Sequence, residues 1–214
     1  MSGLAMVAFA FGHLLIMHYQ RAPFATDAAF VAGRWAGSAW RVFDGVLLLL
    51  ALSHGVAGAY GALRARVRPG VPRAALGGGF AVVLLAFGSL GVWALLAGAR
   101  VPGSAPGPLS GATWIPAAML AALAALAALT YAAGLAAAVL LCARMLARLP
   151  LGRWVYPGQW AFALSRAAGV GVLGFLCVHI LDVALVPLAP DLYDRTVRAY
   201  AAPFLVPMEG ALVA

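Results

Sequence analysis

Residues 42–63 read VFDGVLLLLALSHGVAGAYGAL. A bilayer core is crossed by about 20 consecutive apolar residues in a helix. This run has that length. It carries one acid near its start, one histidine past its middle, and no polar stripe. A surface helix of a globular protein would show polar residues every three or four positions, and this one shows none. The stretch therefore predicts a transmembrane helix and fixes the fold class as all-α integral membrane.

The rest of the chain agrees. Of 214 residues, 65% are hydrophobic and 9% charged, and the mean hydropathy is +0.99. Almost nothing is left over to form a domain outside the bilayer. The net charge is +8, and every basic residue is arginine. The absence of lysine reads as the mark of a GC-rich genome. The charge lies in short loops, so it speaks to membrane topology rather than to nucleic-acid binding, which would need a soluble face. Cys142 and Cys177 both fall in apolar stretches and read as packing residues. No basic segment precedes the first apolar run, so no cleavable signal is expected.

About six spans are expected: 2–19, 39–63, 78–98, 113–146, 166–187, and one that starts near 203 and is cut short. Arg64, Arg66, Arg68 and Arg73 fill one connection, and Arg144, Arg148, Arg153 and Arg166 another. The connection between the third and fourth spans has only Arg100, and in the last connection Asp191 and Asp194 offset Arg195 and Arg198. The positive-inside bias then places the N-terminus in the cytoplasm. The Ala/Leu-rich fourth span has no charged residue between Arg100 and Arg144. It reads as an extra crossing that joins two units of like orientation.

Those two units are visible as a repeat. Gly3, Phe9 and His13 recur as Gly169, Phe175 and His179. Trp35-Ala36-Gly37 recurs as Tyr200-Ala201-Ala202, and Asp44-Gly45 as Glu209-Gly210. The rare residues carry this signal, because there are only four histidines and six acids in the chain. In the first unit His54 stands ten residues past Asp44; the same spacing after Glu209 falls beyond Ala214. Internal repeats in membrane proteins commonly build two similar bundles around a shared site.

An ionisable residue inside the hydrocarbon region is costly and marks a functional site by default. His13, His54 and His179 are such residues. Counted from the cytoplasmic ends, His13 and His54 come out at similar depth, and His179 repeats His13. Paired neutral imidazoles suit the two axial bonds of an electron-transfer haem. Gly55, Ala57, Gly58, Ala59 and Gly61 flank His54, where small residues admit either a flat ring or a partner helix. His18 lies about 140° round the helix from His13 and reads as solvated. Arg166, beside Ser165, reads as a cytoplasmic anchor, or as a donor to a quinone carbonyl or a haem propionate. Asp44 and Glu209, near the outer ends of their helices, read as solvated ends or as outer-face polar contacts, the first being preferred. Other readings stay open: packing histidines in a structural membrane protein, or a small proton-coupled transporter with a histidine relay.

These residues also resemble a known family. GHLLIMHY (12–19) and FVAGRWAGSAWRVFDGVLLLLALSHGVAG (30–58) are similar to the hydrophobic membrane anchor (D) subunit of succinate dehydrogenase, over about residues 1–98. The stretch 158–214, with VHILD (178–182) and the P-x-x-Y-D of 190–194, resembles the start of the cytochrome b556 (C) subunit, over about residues 150–214. The resemblance implies a succinate dehydrogenase/fumarate reductase transmembrane-subunit-like bundle: a D-like unit, a loop and extra crossing over 99–149, and an incomplete C-like unit. It implies haem b, one or two, with His54 as axial ligand of one and His13 with His179 on the other. It implies a quinone site at Arg166 and Ser165. Flavoprotein, iron–sulfur and cytochrome b subunits are the implied partners, in a bacterial cytoplasmic membrane. Succinate is handled on those partners, so this chain carries no succinate active site.

Overall fold

The computed structural model describes residues 2–19, 26–64, 73–100 and 157–199, with a few positions between 136 and 147. Among the described residues all regular structure is helical. Helix α1 spans Ser2–Leu14 and widens into a π turn over Leu15–Tyr19. Helix α2 is Ala28–Ala36, α3 Ser38–Arg64, α4 Arg73–Gly98, α5 Pro157–Leu188 and α6 Pro190–Ala199.

Among the described residues, three helices are long and apolar enough to cross a membrane: α3, α4 and the Ala167–Leu188 part of α5. They correspond to the second, third and fifth expected spans. The first expected span is α1 with its π turn, whose apolar stretch, Ala5–Met17, is shorter. The fourth and sixth expected spans lie outside the described residues. Large apolar side chains such as Val42, Leu49, Val82, Leu85 and Leu181 face outward, as helices that meet lipid tails require.

The sequence placed loops where α2 and α6 stand. Each has a local cause. Asp27 caps α2, its extended backbone letting the carboxylate accept the Phe30 N–H at 2.8 Å. Such a cap is worth about 1 kcal/mol. Helix α5 ends within a turn of Pro187, and Pro190 then opens α6, proline being well suited to a first helical position. Ala189 links the two: its N–H donates to the Leu185 carbonyl at 2.7 Å, and its own carbonyl accepts from Leu192 and Tyr193.

Packing inside a membrane draws on close van der Waals contact rather than on removal of water, so small residues decide which helices touch. Helix α5 packs most extensively on α3. A Cβ added at Gly58 would lie 2.7 Å from the Gly169 Cα, and one at Gly55 would lie 3.0 Å from the Leu173 backbone nitrogen. The α3 and α5 backbones therefore meet directly. Helix α1 rests on α3 instead, with Phe9 stacked on Phe43 at 5.0 Å and Gly12 against the same ring.

At one end of this bundle α2 touches α3, α4, α5 and α6. The Trp35 ring is seated over Gly98 at the end of α4, where an added Cβ would come within 2.5 Å of it, beside Val186 of α5. Helix α6 closes the same end: the Ala28 N–H donates to Asp194 at 2.8 Å, and buried Tyr193 shares a hydrogen bond with the Thr26 side chain. Tyr60 against Phe80 marks the opposite end of α3 and the beginning of α4, where Arg64 and Arg73 stand.

Candidate functional site

The two histidines related by the repeat meet. The His13 and His179 ring centroids are 6.3 Å apart, with the ring planes at 86°. The backbones of α1 and α5 make little contact among the described residues, so side chains bridge the space between them. His179 stacks on Phe175 at 5.1 Å. Its counterpart Phe9 stacks on Phe43 instead.

His13 is further held from α3. Its Nδ1 donates to Asp44 Oδ1 at 3.4 Å. The same oxygen accepts from Arg34 Nη2, and the other carboxylate oxygen accepts from Trp35 Nε1 at 3.0 Å. Arg34 Nη1 reaches Met17 Sδ at 2.8 Å, which the π turn after His13 brings round, and the guanidinium lies over the Trp40 ring, 4.7 Å from its centre. Arg34 and Asp44 side chains are 5% and 12% exposed, so this is an enclosed ion pair. Burial pushes the Arg34 guanidinium pKa down, and Asp44 opposes the shift; an arginine keeps its charge in either case. Arg34 Nε is buried with no hydrogen-bond partner.

Sequence reasoning did not find this cluster. Asp44 was expected as a solvated helix end or an outer-face polar contact; it is a largely buried acceptor for side chains of two other helices, α1 and α2. The reason is Gly37, whose single extended residue turns α2 back onto α3 and lays Arg34 and Trp35 over Asp44. One signal was available: an acid six residues inside an apolar helix needs a cation, and Arg34 and Arg41 both lie upstream of it.

His54 lies elsewhere. It follows Phe43 by three helical turns, so it shares the α1-facing side of α3. It is also ten residues past Asp44, about 15 Å along the axis. His13, which touches Asp44, therefore sits on a different level, and the expectation of similar depth does not hold. That expectation assumed the two helices started level, whereas α3 runs 27 residues and the apolar part of α1 covers only Ala5–Met17. The small residues beside His54 bring in a partner helix, α5, at Gly55 and Gly58. Ser165 is exposed on the first half of α5. The side chains of Arg166 and His18, and Glu209 as a whole, lie outside the described residues.

The chemistry open to the His13–His179 pair follows from spacing. A metal bound by an imidazole nitrogen at about 2 Å lies about 3 Å from the ring centre. Two axial imidazoles on one metal therefore have centres roughly 6 Å apart, close to the separation here. No cluster of three or more His, Cys, Asp or Glu side chains forms among the described residues, so a metal held by protein ligands alone is not built. A cofactor that brings its own equatorial ligands and needs only two axial nitrogens fits the pair.

No protein-family profile matches the chain, and no solved structure matches it. Partial homology does appear to succinate dehydrogenase 2 membrane subunit SdhC of Mycobacterium tuberculosis: 58 residues at 36% identity, covering 27% of this chain and 43%, less than half, of that protein.

Proposed function

We propose that this chain is a membrane-anchor subunit of a succinate:quinone oxidoreductase, respiratory complex II, that binds haem b and borders a quinone site. The observation that carries this reading is the His13–His179 pair at 6.3 Å, formed by two helices that repeat one another. The partial homology to SdhC supports it. Electrons pass from a partner iron–sulfur subunit toward membrane quinone.

In this role His13 and His179 would together hold one haem iron. A bis-histidine haem supplies a one-electron relay with no open coordination position. The chain's part is to hold two imidazoles within reach of one metal, keep water away with apolar helices, and stabilise the site through the Asp44 network. Arg34, with its buried and unpaired Nε, is the candidate donor to an acidic edge group of the cofactor. His54, on another level, would hold a second haem, with its partner ligand supplied from outside the residues of this chain. Ser165 and Arg166 supply hydroxyl and guanidinium donors to a quinone carbonyl. The orientation consistent with this places Arg64 and Arg73 in the cytoplasm and α2 and α6 outside.

The test is haem content of the intact complex, purified with its partner subunits, by pyridine haemochrome and reduced-minus-oxidised spectra. His13→Ala and His179→Ala are expected to lose the same haem while the complex still assembles. A folded complex without haem b sinks the reading and leaves packing histidines in its place.

A further inference from the structure

Asp44 joins three helices through one carboxylate: His13 from α1, Arg34 and Trp35 from α2, and its own α3. An ionised carboxylate only accepts hydrogen bonds. The 3.4 Å contact calls for a proton on His13 Nδ1, and in the neutral tautomer that meets this, Nε2 is bare. A neutral imidazole with one bare nitrogen is the form that binds a metal. Carboxylates that receive the second N–H of a ligating histidine fix its tautomer and ring orientation and make it a more basic ligand.

We propose that Asp44 is a positioning residue for His13, and that α2 sets the electronic character of the site by holding Asp44 in place. This rests on the haem reading above. The carboxylate is not free to turn toward water. Arg34 binds one of its oxygens and Trp35 the other, and Trp35 is locked over Gly98 with 4% of its surface exposed. A short helix outside the membrane-spanning segments thus reaches, through two side chains and one carboxylate, to a ligand of the buried site. On the other side of the pair, the His179 ring stacks on Phe175.

The experiment uses the intact complex with its partner subunits. Asp44→Asn keeps the shape and removes the charge. Because it also leaves Arg34 unbalanced, the double variant Arg34→Met with Asp44→Asn is made alongside it. The first readout is the midpoint potential of the haem that His13→Ala abolishes. Loss of the negative partner makes His13 a weaker electron donor, so the potential is expected to rise in both variants. The second readout is the EPR spectrum of the oxidised haem, whose g-values are expected to shift. The third is haem retention, expected to weaken by about 10–100-fold, the usual effect of removing such a partner. Trp35→Phe, which changes no charge, is expected to move the potential the same way by less. Haem present with wild-type potential and g-values in both Asp44 variants overturns this proposal and leaves the haem reading intact. Absence of haem from the wild-type complex overturns both.

Discussion

Helix α5 meets its neighbours in two opposite ways within ten residues. At Gly169 it closes on α3 so tightly that an added Cβ would lie 2.6 Å from the Gly58 Cα. At His179, about 15 Å further along, it stands off α1, and two imidazoles fill the space with centroids 6.3 Å apart. The glycine at one level and the histidine at the other belong to the same repeat. What separates their outcomes is the partner. Gly169 meets another glycine, so backbones touch and nothing can enter between them. His179 meets a histidine across a pair of helices whose backbones make little contact among the described residues. The separation at His179 is therefore kept by two helices standing apart, and the small residues of α3 do the reverse.

The largest effect comes from forcing the closed region open. Gly58→Ile places a branched side chain against the Gly169 backbone, which has no flexible end to swing away. Ordinary overpacking costs about 1–3 kcal/mol, and this substitution is expected to exceed that. The outcome to measure is the yield of monodisperse protein in detergent and its thermal midpoint, both falling sharply. An unchanged midpoint would mean that α3 and α5 are not in backbone contact.

This contrast also shows what the sequence makes legible. The spans over α3, α4 and α5 could be read because crossing a bilayer imposes a length and a composition that apolar runs satisfy by themselves. The repeat that relates His13 to His179 was legible because histidines are rare, and their pairing was implied by the family resemblance. Three features escaped, each for a physical reason. Helices α2 and α6 are about ten residues long and amphipathic, too short for a periodicity to assert itself between proline and glycine breaks. The burial of Asp44 depends on the reversal at Gly37, a tertiary event. The level of His54 depends on how far α1 slides along α3, which counting residues from helix ends cannot supply.

A middle-sized effect tests the clamp that closes the bundle beside the open region. Tyr193 is 5% exposed. Its burial, reinforced by the negative charge of Asp182, holds its hydroxyl pKa well above the ordinary value. The folded state thus favours the neutral phenol. Below about pH 10, the usual tyrosine pKa, both folded and unfolded chains carry the neutral form and this contribution is fully present. Above it the unfolded chain ionises first, so stability is lost as pH rises toward the folded-state value. The thermal midpoint of the wild type is expected to fall more steeply above about pH 10 than that of Tyr193→Phe. Parallel profiles would show that Tyr193 is not enclosed between α2 and α6.

The smallest effect sharpens the comparison by using the same residue type where nothing opposes it. An added Cβ at Gly78, in the first turns of α4, has no neighbour within 4 Å. Glycine inside a helix costs roughly 0.5–1 kcal/mol relative to alanine through its greater freedom in the unfolded chain. Gly78→Ala is therefore expected to raise the thermal midpoint slightly, in contrast to the collapse expected from the change at Gly58. Both positions are glycines in apolar helices, so propensity alone predicts the same sign for both, and only the facing backbone makes them differ. The measurement has a second use when made twice, once on the isolated chain and once in the assembled complex. A gain in the isolated chain that turns into a loss in the complex would place a partner subunit against the open face of α4, and a gain in both would leave that face to lipid.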